Sequence, residues 1–250
     1  MGVVTHTWQP GQFIRVNRAK FRQYLLTGIP VKWGWRFTHY EVEGASVKAF
    51  FGNGETALGD ILVGADGLRS RGKQRSIWLR PIINSRAVRE TMYQPNPPAL
   101  NAVPAGVIVG EITLNREQYE RHAKFGRSFY ICVGHGVHFF VGLRSYSDDL
   151  EEGHYYWLYY FREDNPESSW VKTATKEELL SFARDKLKDL HPNFRELLDL
   201  QTSEGVSQAF IMYDRVPEVC PPGPVTLLGD ATHPMTPRTS LPSFVFPEEK

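Results

Sequence analysis

Residues 61–67, ILVGADG, carry an unbroken apolar run straight into a turn of small residues. A half-buried strand would alternate apolar and polar positions. Ile61, Leu62 and Val63 do not alternate, so the pattern predicts a strand buried on both faces, as in a parallel sheet. A strand that ends in Gly64, Ala65, Asp66 and Gly67 exposes backbone N–H groups and a carboxylate at its carboxyl end, where α/β sheets bind ligands. The plainer reading is an ordinary turn, since Asp-Gly pairs are common there.

The same design recurs near the other end, in VTLLGDATHPMTP at residues 225–237. An apolar run over 225–228 enters Gly229-Asp230 and then the His233-Pro234 kink. Gly229 would let a ligand approach the backbone closely, and the Asp230 carboxylate could accept hydrogen bonds from hydroxyl groups. Either motif by itself is a weak signal.

Working outward, Asn17 predicts a helix cap over residues 18–26, with Phe21, Leu25 and Leu26 on one face and Gly28 and Pro30 as stops. Residues 31–42 read as a strand region, and residues 46–51 and 56–63 as a hairpin about Asn53-Gly54. Between about residues 80 and 207 the texture changes. Pro95, Pro97, Pro98 and Pro104 mark a loop. After it, 106–114, 128–133, 137–143 and 154–162 are rich in aromatic and β-branched residues and predict an antiparallel or mixed sheet. Thr175 and Glu178 form a capping box for an amphipathic helix that turns Leu179, Leu180, Phe182, Ala183, Leu187 and Leu190 inward. A shorter helix is expected over 193–200, a strand over 206–213, and the closing strand over 225–228.

A net charge of +1, from 29 basic and 28 acidic side chains, gives no electrostatic footprint for nucleic acid or an anionic membrane. Cys132 and Cys220 lack C-x-x-C spacing and read as reduced thiols. The first eighteen residues have no apolar core of a signal peptide, and the stretch 129–143 is too short and interrupted for a membrane helix. A cytoplasmic protein with small-molecule partners is the expectation. His135 and His138 lie three apart with no third ligand in view, so no metal site is assigned. No G-x-S-x-G or H-E-x-x-H motif supports a hydrolase.

Taken together and in this order, the motifs resemble those of the FAD-dependent monooxygenases of the aromatic-ring hydroxylase type. IRVNRAKFRQYLL, residues 14–26, is similar to the family's arginine-led helix, in which the residue matching Arg18 reaches the flavin. ILVGADGLRSR resembles its D-G motif, which implies Asp66 and Gly67 near the FAD pyrophosphate. VTLLGDATHPMTP resembles its G-D motif, which implies Gly229 and Asp230 at the ribityl or ribose hydroxyls and Pro234 beside the isoalloxazine. The resemblance spans residues 13 to 237. It implies an α/β (α+β) fold with three parts: a partial FAD-binding domain over 1–83, an inserted mixed or antiparallel substrate-binding sheet over 84–215, and a return to the FAD-binding domain over 216–250.

The activity so implied is oxidoreductase chemistry, an NADPH- or NADH- and O2-dependent hydroxylation or epoxidation of a small aromatic, polyketide-like or terpenoid-like substrate. The cofactor carries that chemistry, so no catalytic side chain is named. Phe139, Phe140, Tyr155, Tyr156, Trp157, Tyr159 and Tyr160 would supply the substrate wall by alternation. Two departures from the family stand out. The chain contains no G-x-G-x-x-G, the turn whose helix receives the pyrophosphate, and residues 238–250 lack the family's Gly-rich turn and helix. The sequence reading is therefore of a form truncated at both ends, with exposed apolar faces and impaired FAD binding. The rival readings are a flavin-free small-molecule binding protein and a cofactor-independent isomerase or cyclase using Asp66, Asp230 or His233.

Overall fold

A computed structural model describes residues 15–65, 67, 87–95, 99–134 and 136–235. Asp66, His135, Pro97, Pro98 and the tail from residue 236 onward lie outside the described residues.

Helix α1, Arg18–Leu25, starts at Asn17, whose side-chain oxygen accepts from the amides of Ala19 at 3.0 Å and Lys20 at 3.2 Å. Those amides have no partner within the helix, which is why a short polar side chain is favoured at this position. The helix buries none of its residues. The expected strand region narrows to β1, Phe37–Glu43, which pairs antiparallel with β2, Ser46–Phe51. Gly44 at φ +64° supports the tight connection between them. The second hairpin arm divides. Strand β3, Thr56–Gly59, pairs with β2, while β4, Leu62–Gly64, leaves that sheet altogether.

Strand β4 pairs instead, in parallel, with β10, Val225–Leu227, in the register Leu62↔Val225, Val63↔Thr226 and Gly64↔Leu227. The parallel partner agrees with the sequence pattern, but the run is not buried on both faces: Ile61 lies outside β4 and is 68% exposed. One face of the pair is covered. Val47, Val88, Val225, Leu227 and Ala231 form a small core, with Leu62 and Met92 packed against it. Helix α2, Ala87–Met92, contributes Val88 and lies against β1 and β10. The other face is open, with Val63 49% and Leu228 63% exposed.

The larger body is a five-stranded antiparallel sheet in the order β6-β7-β8-β5-β9. Its strands are β5 (Asn101–Asn115), β6 (Phe129–Gly134), β7 (Val137–Tyr146), β8 (Glu152–Arg162) and β9 (Phe210–Asp214). Pro104 lies inside β5 rather than in the preceding loop. The ladder to β9 shifts register between Ala102 and Gly106, where a residue without an N–H is tolerated. The expected strand over 206–213 shortens to β9, and Val206 keeps a single bridge to Gly110.

One face of this sheet is covered by helices α3 (Arg116–Ala123), α4 (Lys176–Lys186) and α5 (Pro192–Leu200). The capping box of α4 forms in both directions: Glu178 N–H donates to Thr175 Oγ1 at 3.2 Å, and Thr175 N–H to Glu178 Oε2 at 2.8 Å. Leu179, Leu180, Ala183 and Leu187 are buried against Trp157, Tyr159 and Phe161. Each such side chain removed from water stabilises the fold by about 1.5–3 kcal/mol. Glycines make the fit possible. Gly110 is paired with Trp157 and Gly106 with Phe161, and the rings lie where a glycine Cβ would be.

Candidate functional site

The parallel pairing brings the two turn motifs to one edge. Both strands run the same way, so Gly64 and Leu227 finish side by side and Gly67, Gly229 and Asp230 follow beyond the same carboxyl ends. The Leu228 amide donates to the Gly64 carbonyl at 2.9 Å and extends the ladder one residue into the second motif. The edge is kept tight by what Gly64 lacks: a Cβ there would lie 2.8 Å from Leu227 Cδ2 and 2.9 Å from Val88 Cβ.

Gly67 at φ +77° and Gly229 at φ +65° both adopt the left-handed region, and nothing stands within 4 Å of the Cβ position of either. A side chain there would strain the backbone and close the approach to it. Beyond Gly229 the chain makes a short 3-10 turn, Gly229–Ala231, in which the amides of Thr232 and His233 donate to the Gly229 carbonyl. Ala231 is fully buried and anchors the turn, while Asp230 is exposed. Thr232 Oγ1 is buried and finds no partner among the described residues. Open glycine backbone and an exposed carboxylate are groups that the phosphates and hydroxyls of a dinucleotide can use. The residues at this edge therefore fit FAD.

Pro234 is buried, and its carbonyl accepts the amide of Arg215 at 3.2 Å. Arg215 follows directly on β9, so this bond joins the second motif to the five-stranded sheet. Arg18 is not brought to the edge by any hydrogen bond or ion pair among the described residues; it is exposed in the first turn of α1.

Sequence reasoning missed two arginines. Arg89 on α2 is 3% exposed, and its Nη1 donates to the Ala231 carbonyl at 3.4 Å, behind the Gly229–Ala231 turn. Nothing in its sequence context separates it from a solvated helix residue. Arg15 crosses to the five-stranded sheet, where Nη2 donates to the Tyr156 hydroxyl at 2.6 Å and Nη1 to the Ser128 carbonyl. Its proximity to an arginine-led motif was the available signal.

The aromatic wall divides by strand alternation. Phe139, Tyr155, Trp157 and Tyr159 point to the helices and are buried in the main core. Phe140, Tyr156 and Tyr160 lie on the opposite face, with Leu158 and the apolar cluster Val103, Ala105, Val107, Val109 and Met212. On this second face Phe140, Tyr156, Leu158 and Tyr160 are partly buried, and Val103, Ala105, Val107, Val109 and Met212 are buried. On that face burial lowers the His138 pKa to about 4, so the ring is neutral at pH 7. Burial also pushes the Tyr160 hydroxyl up to about 12. On the helix side burial raises the Cys132 thiol to about 11, where it is not a nucleophile near neutrality. An open pocket of about 300 Å³ lies on that side too, lined by Glu177, Arg184, Gln201 and Ser203. Its arginine is occupied, since Arg184 binds the carbonyls of Leu198, Asp199 and Gln201 at the end of α5. No group of three or more residues able to hold a metal ion occurs among the described residues. None of their helices is long and apolar enough to cross a membrane.

No family model matches the chain. It is 34% identical over 233 residues to the FAD-dependent monooxygenase thnD of Trichoderma harzianum, a match covering 90% of this chain and 53% of that protein. It is 29% identical to the dual O-methyltransferase/FAD-dependent monooxygenase elcB of Phaeosphaeria nodorum, over 89% of this chain and 26% of that one. The chain thus spans about half the length of the first relative and a quarter of the second. Among solved structures, a putative FAD-containing monooxygenase from Photorhabdus luminescens superposes with a TM-score of 0.64 at 22% identity, covering 88% of this chain and 57% of that one. HpxO of Klebsiella pneumoniae, solved with FAD and uric acid, superposes with a TM-score of 0.60 at 20% identity, over 89% of this chain and 49% of that one.

Proposed function

We propose, from its 34% identity to one FAD-dependent monooxygenase over 90% of its length, that the chain binds FAD at the carboxyl edge of β4 and β10 and serves an oxygen-inserting oxidoreductase. The observation that carries the reading is the parallel register Gly64↔Leu227, which sets the carboxyl end of β4 next to the Gly229-Asp230 turn. In this reading Asp230 accepts hydrogen bonds from the ribityl or ribose hydroxyls, and the Gly229 backbone admits them closely. Asp66 and Gly67 lie along the pyrophosphate, Arg18 reaches toward the flavin, and Pro234 borders its ring. When bound, FAD supplies the redox chemistry, taking electrons from NADPH or NADH and using O2.

The chain's own residues bind, orient and exclude water. The partly buried Phe140, Leu158 and Tyr160 offer a dry wall for a small aromatic, polyketide-like or terpenoid-like substrate. Its hydroxylation or epoxidation in the cytoplasm is the activity proposed. The relatives do not favour the flavin-free binding protein or the cofactor-independent isomerase. The test is titration of the purified chain with FAD, followed by quenching of flavin fluorescence. Saturable quenching is expected, weakened about tenfold by Asp230→Ala, the loss for a hydrogen bond worth about 1.4 kcal/mol. A folded protein blind to FAD would overturn the reading.

A further inference from the structure

Strand β6, Phe129–Gly134, is an outer strand of the five-stranded sheet and pairs with β7 alone. Its register fixes which way each backbone group points. The Leu143 amide donates to the Ser128 carbonyl at 2.9 Å, and bonded positions alternate along an antiparallel ladder, so Tyr130 and Cys132 turn their amides and carbonyls toward β7. Those of Ile131 and Val133 point out of the sheet. No backbone group of any other described residue meets them.

The side chains at this edge are apolar as well. Tyr130 and Cys132 pack into the main core on the helix side. Alternation sends Ile131 and Val133 to the opposite face, beside Phe140 and His138 in the ladder, where they are 38% and 52% exposed. Residues 129–134 carry neither a charge nor a proline, devices that keep outer strands from pairing. The other outer strands are guarded. β1 carries Glu41 and Glu43, β9 ends in Asp214, and β3, β4 and β10 are no longer than four residues.

Free amides and carbonyls in strand geometry are complemented by another strand edge. A second copy of this chain supplies one with no further feature, since under a two-fold axis β6 meets its own image antiparallel and every contact is made twice. With the axis at Cys132, Ile131 of one protomer stands opposite the partner's Val133, and Val133 opposite the partner's Ile131. Both are outward-facing positions, so each such pair exchanges both of its backbone hydrogen bonds. Each exposed aliphatic side chain is covered by its counterpart in the same step.

We propose that β6 is a self-association edge, through which two copies of this chain join their five-stranded sheets into one continuous sheet, with Ile131 paired to the partner's Val133. Neither the flavin edge nor the residues assigned to its substrate take part, so the dimer stands or falls apart from the oxygenase reading.

The test is sedimentation equilibrium of the full chain, without flavin, over a range of protein concentrations. A reversible dimer is expected. Ile131→Glu and Val133→Lys each set an ionised group against an apolar neighbour in both halves of the two-fold contact. Each should weaken the dimer about a hundredfold, from a loss of roughly tenfold in either half. The double variant Ile131→Glu/Val133→Lys puts opposite charges across the interface in both halves and should recover most of the affinity. Ile131→Pro removes an outward amide and leaves the β6–β7 bonds intact, so it should dissociate the dimer without unfolding the chain. Near-UV circular dichroism checks the fold of each variant. A parent that stays monomeric at every concentration overturns the proposal. A dimer that the single variants leave unchanged puts the interface elsewhere and overturns it too, and a folded double variant that remains monomeric overturns the pairing of Ile131 with the partner's Val133.

Discussion

The amide of Leu228 and the carbonyl of Gly64 are 2.9 Å apart, and through that bond two turns from opposite ends of the chain hold a common edge. Gly64 is the residue on which the closeness depends. Gly64→Ala would drive a methyl group into Leu227 and Val88, and overpacking of this kind costs about 1–3 kcal/mol. A lowered melting temperature is expected, with FAD affinity reduced more than by an equally destabilising change on the helix side of the large sheet. An unchanged melting temperature would mean that the β4–β10 contact is looser than the geometry implies.

Gly110 makes a sharper case. Its Cβ position is 2.2 Å from Trp157 Cε2, and Trp157 is fully buried with its indole N–H donating to Gln201 Oε1 at 2.8 Å. The ring cannot move without losing that bond. Gly110→Ala is expected to cost about 3 kcal/mol, a fall in melting temperature of roughly 6–12 °C for a chain of this size. The near-UV tryptophan band should change with it. A variant as stable as the parent would show that Trp157 has another place to go.

Two buried histidines set the acid response. Burial lowers the pKa of His122, outweighing the Glu196 carboxylate that raises it. Its Nδ1 lies 2.8 Å from the Tyr130 hydroxyl, and its Nε2 faces Glu196 Oε2 at 3.3 Å. Burial brings His138 to about 4. Both folded values lie below that of an unfolded histidine, about 6.5. Their contribution is therefore fully present above pH 6.5 and is lost as pH falls toward the folded values, because the unfolded chain takes up protons that the buried rings refuse. The loss is at most about 1.4 kcal/mol per pH unit for each ring. Urea midpoints taken from pH 8 to 4.5 should fall for the parent and fall less steeply for His122→Gln and for His138→Gln. A pH-independent parent would contradict the burial of both rings.

What could be read in advance followed local chemistry. The Asn17 cap, the Thr175–Glu178 box, the inward row of α4 and the non-alternating run at 61–63 each declare themselves within a few residues, because cap acceptors and apolar periodicity are short-range properties. What was not legible depended on partners far along the chain. Leu62 turned out to leave the hairpin for β10, a partner roughly 160 residues away that no local pattern names. Pro104 proved compatible with a strand because its neighbour shifts register there. The aromatic positions of β7 and β8 were legible as a set, whereas their division between the helix-covered core and the opposite face followed from the helices that cover one side. Of the site, Gly229 and Gly67 were marked by their residue type. Arg15 and Arg89 were not, because only the folded chain carries them to Tyr156 and Ala231.

The parallel bond between β4 and β10 also orders events in time. Everything from β5 to β9 lies between those two strands, so their pairing closes a very long loop for the return of only three ladder positions. In the large sheet the β6–β7 and β7–β8 ladders join neighbours in sequence and form with far less entropy to overcome. The β4–β10 edge is accordingly expected to close last during folding, after the five-stranded sheet stands, and to open first when the chain is stressed.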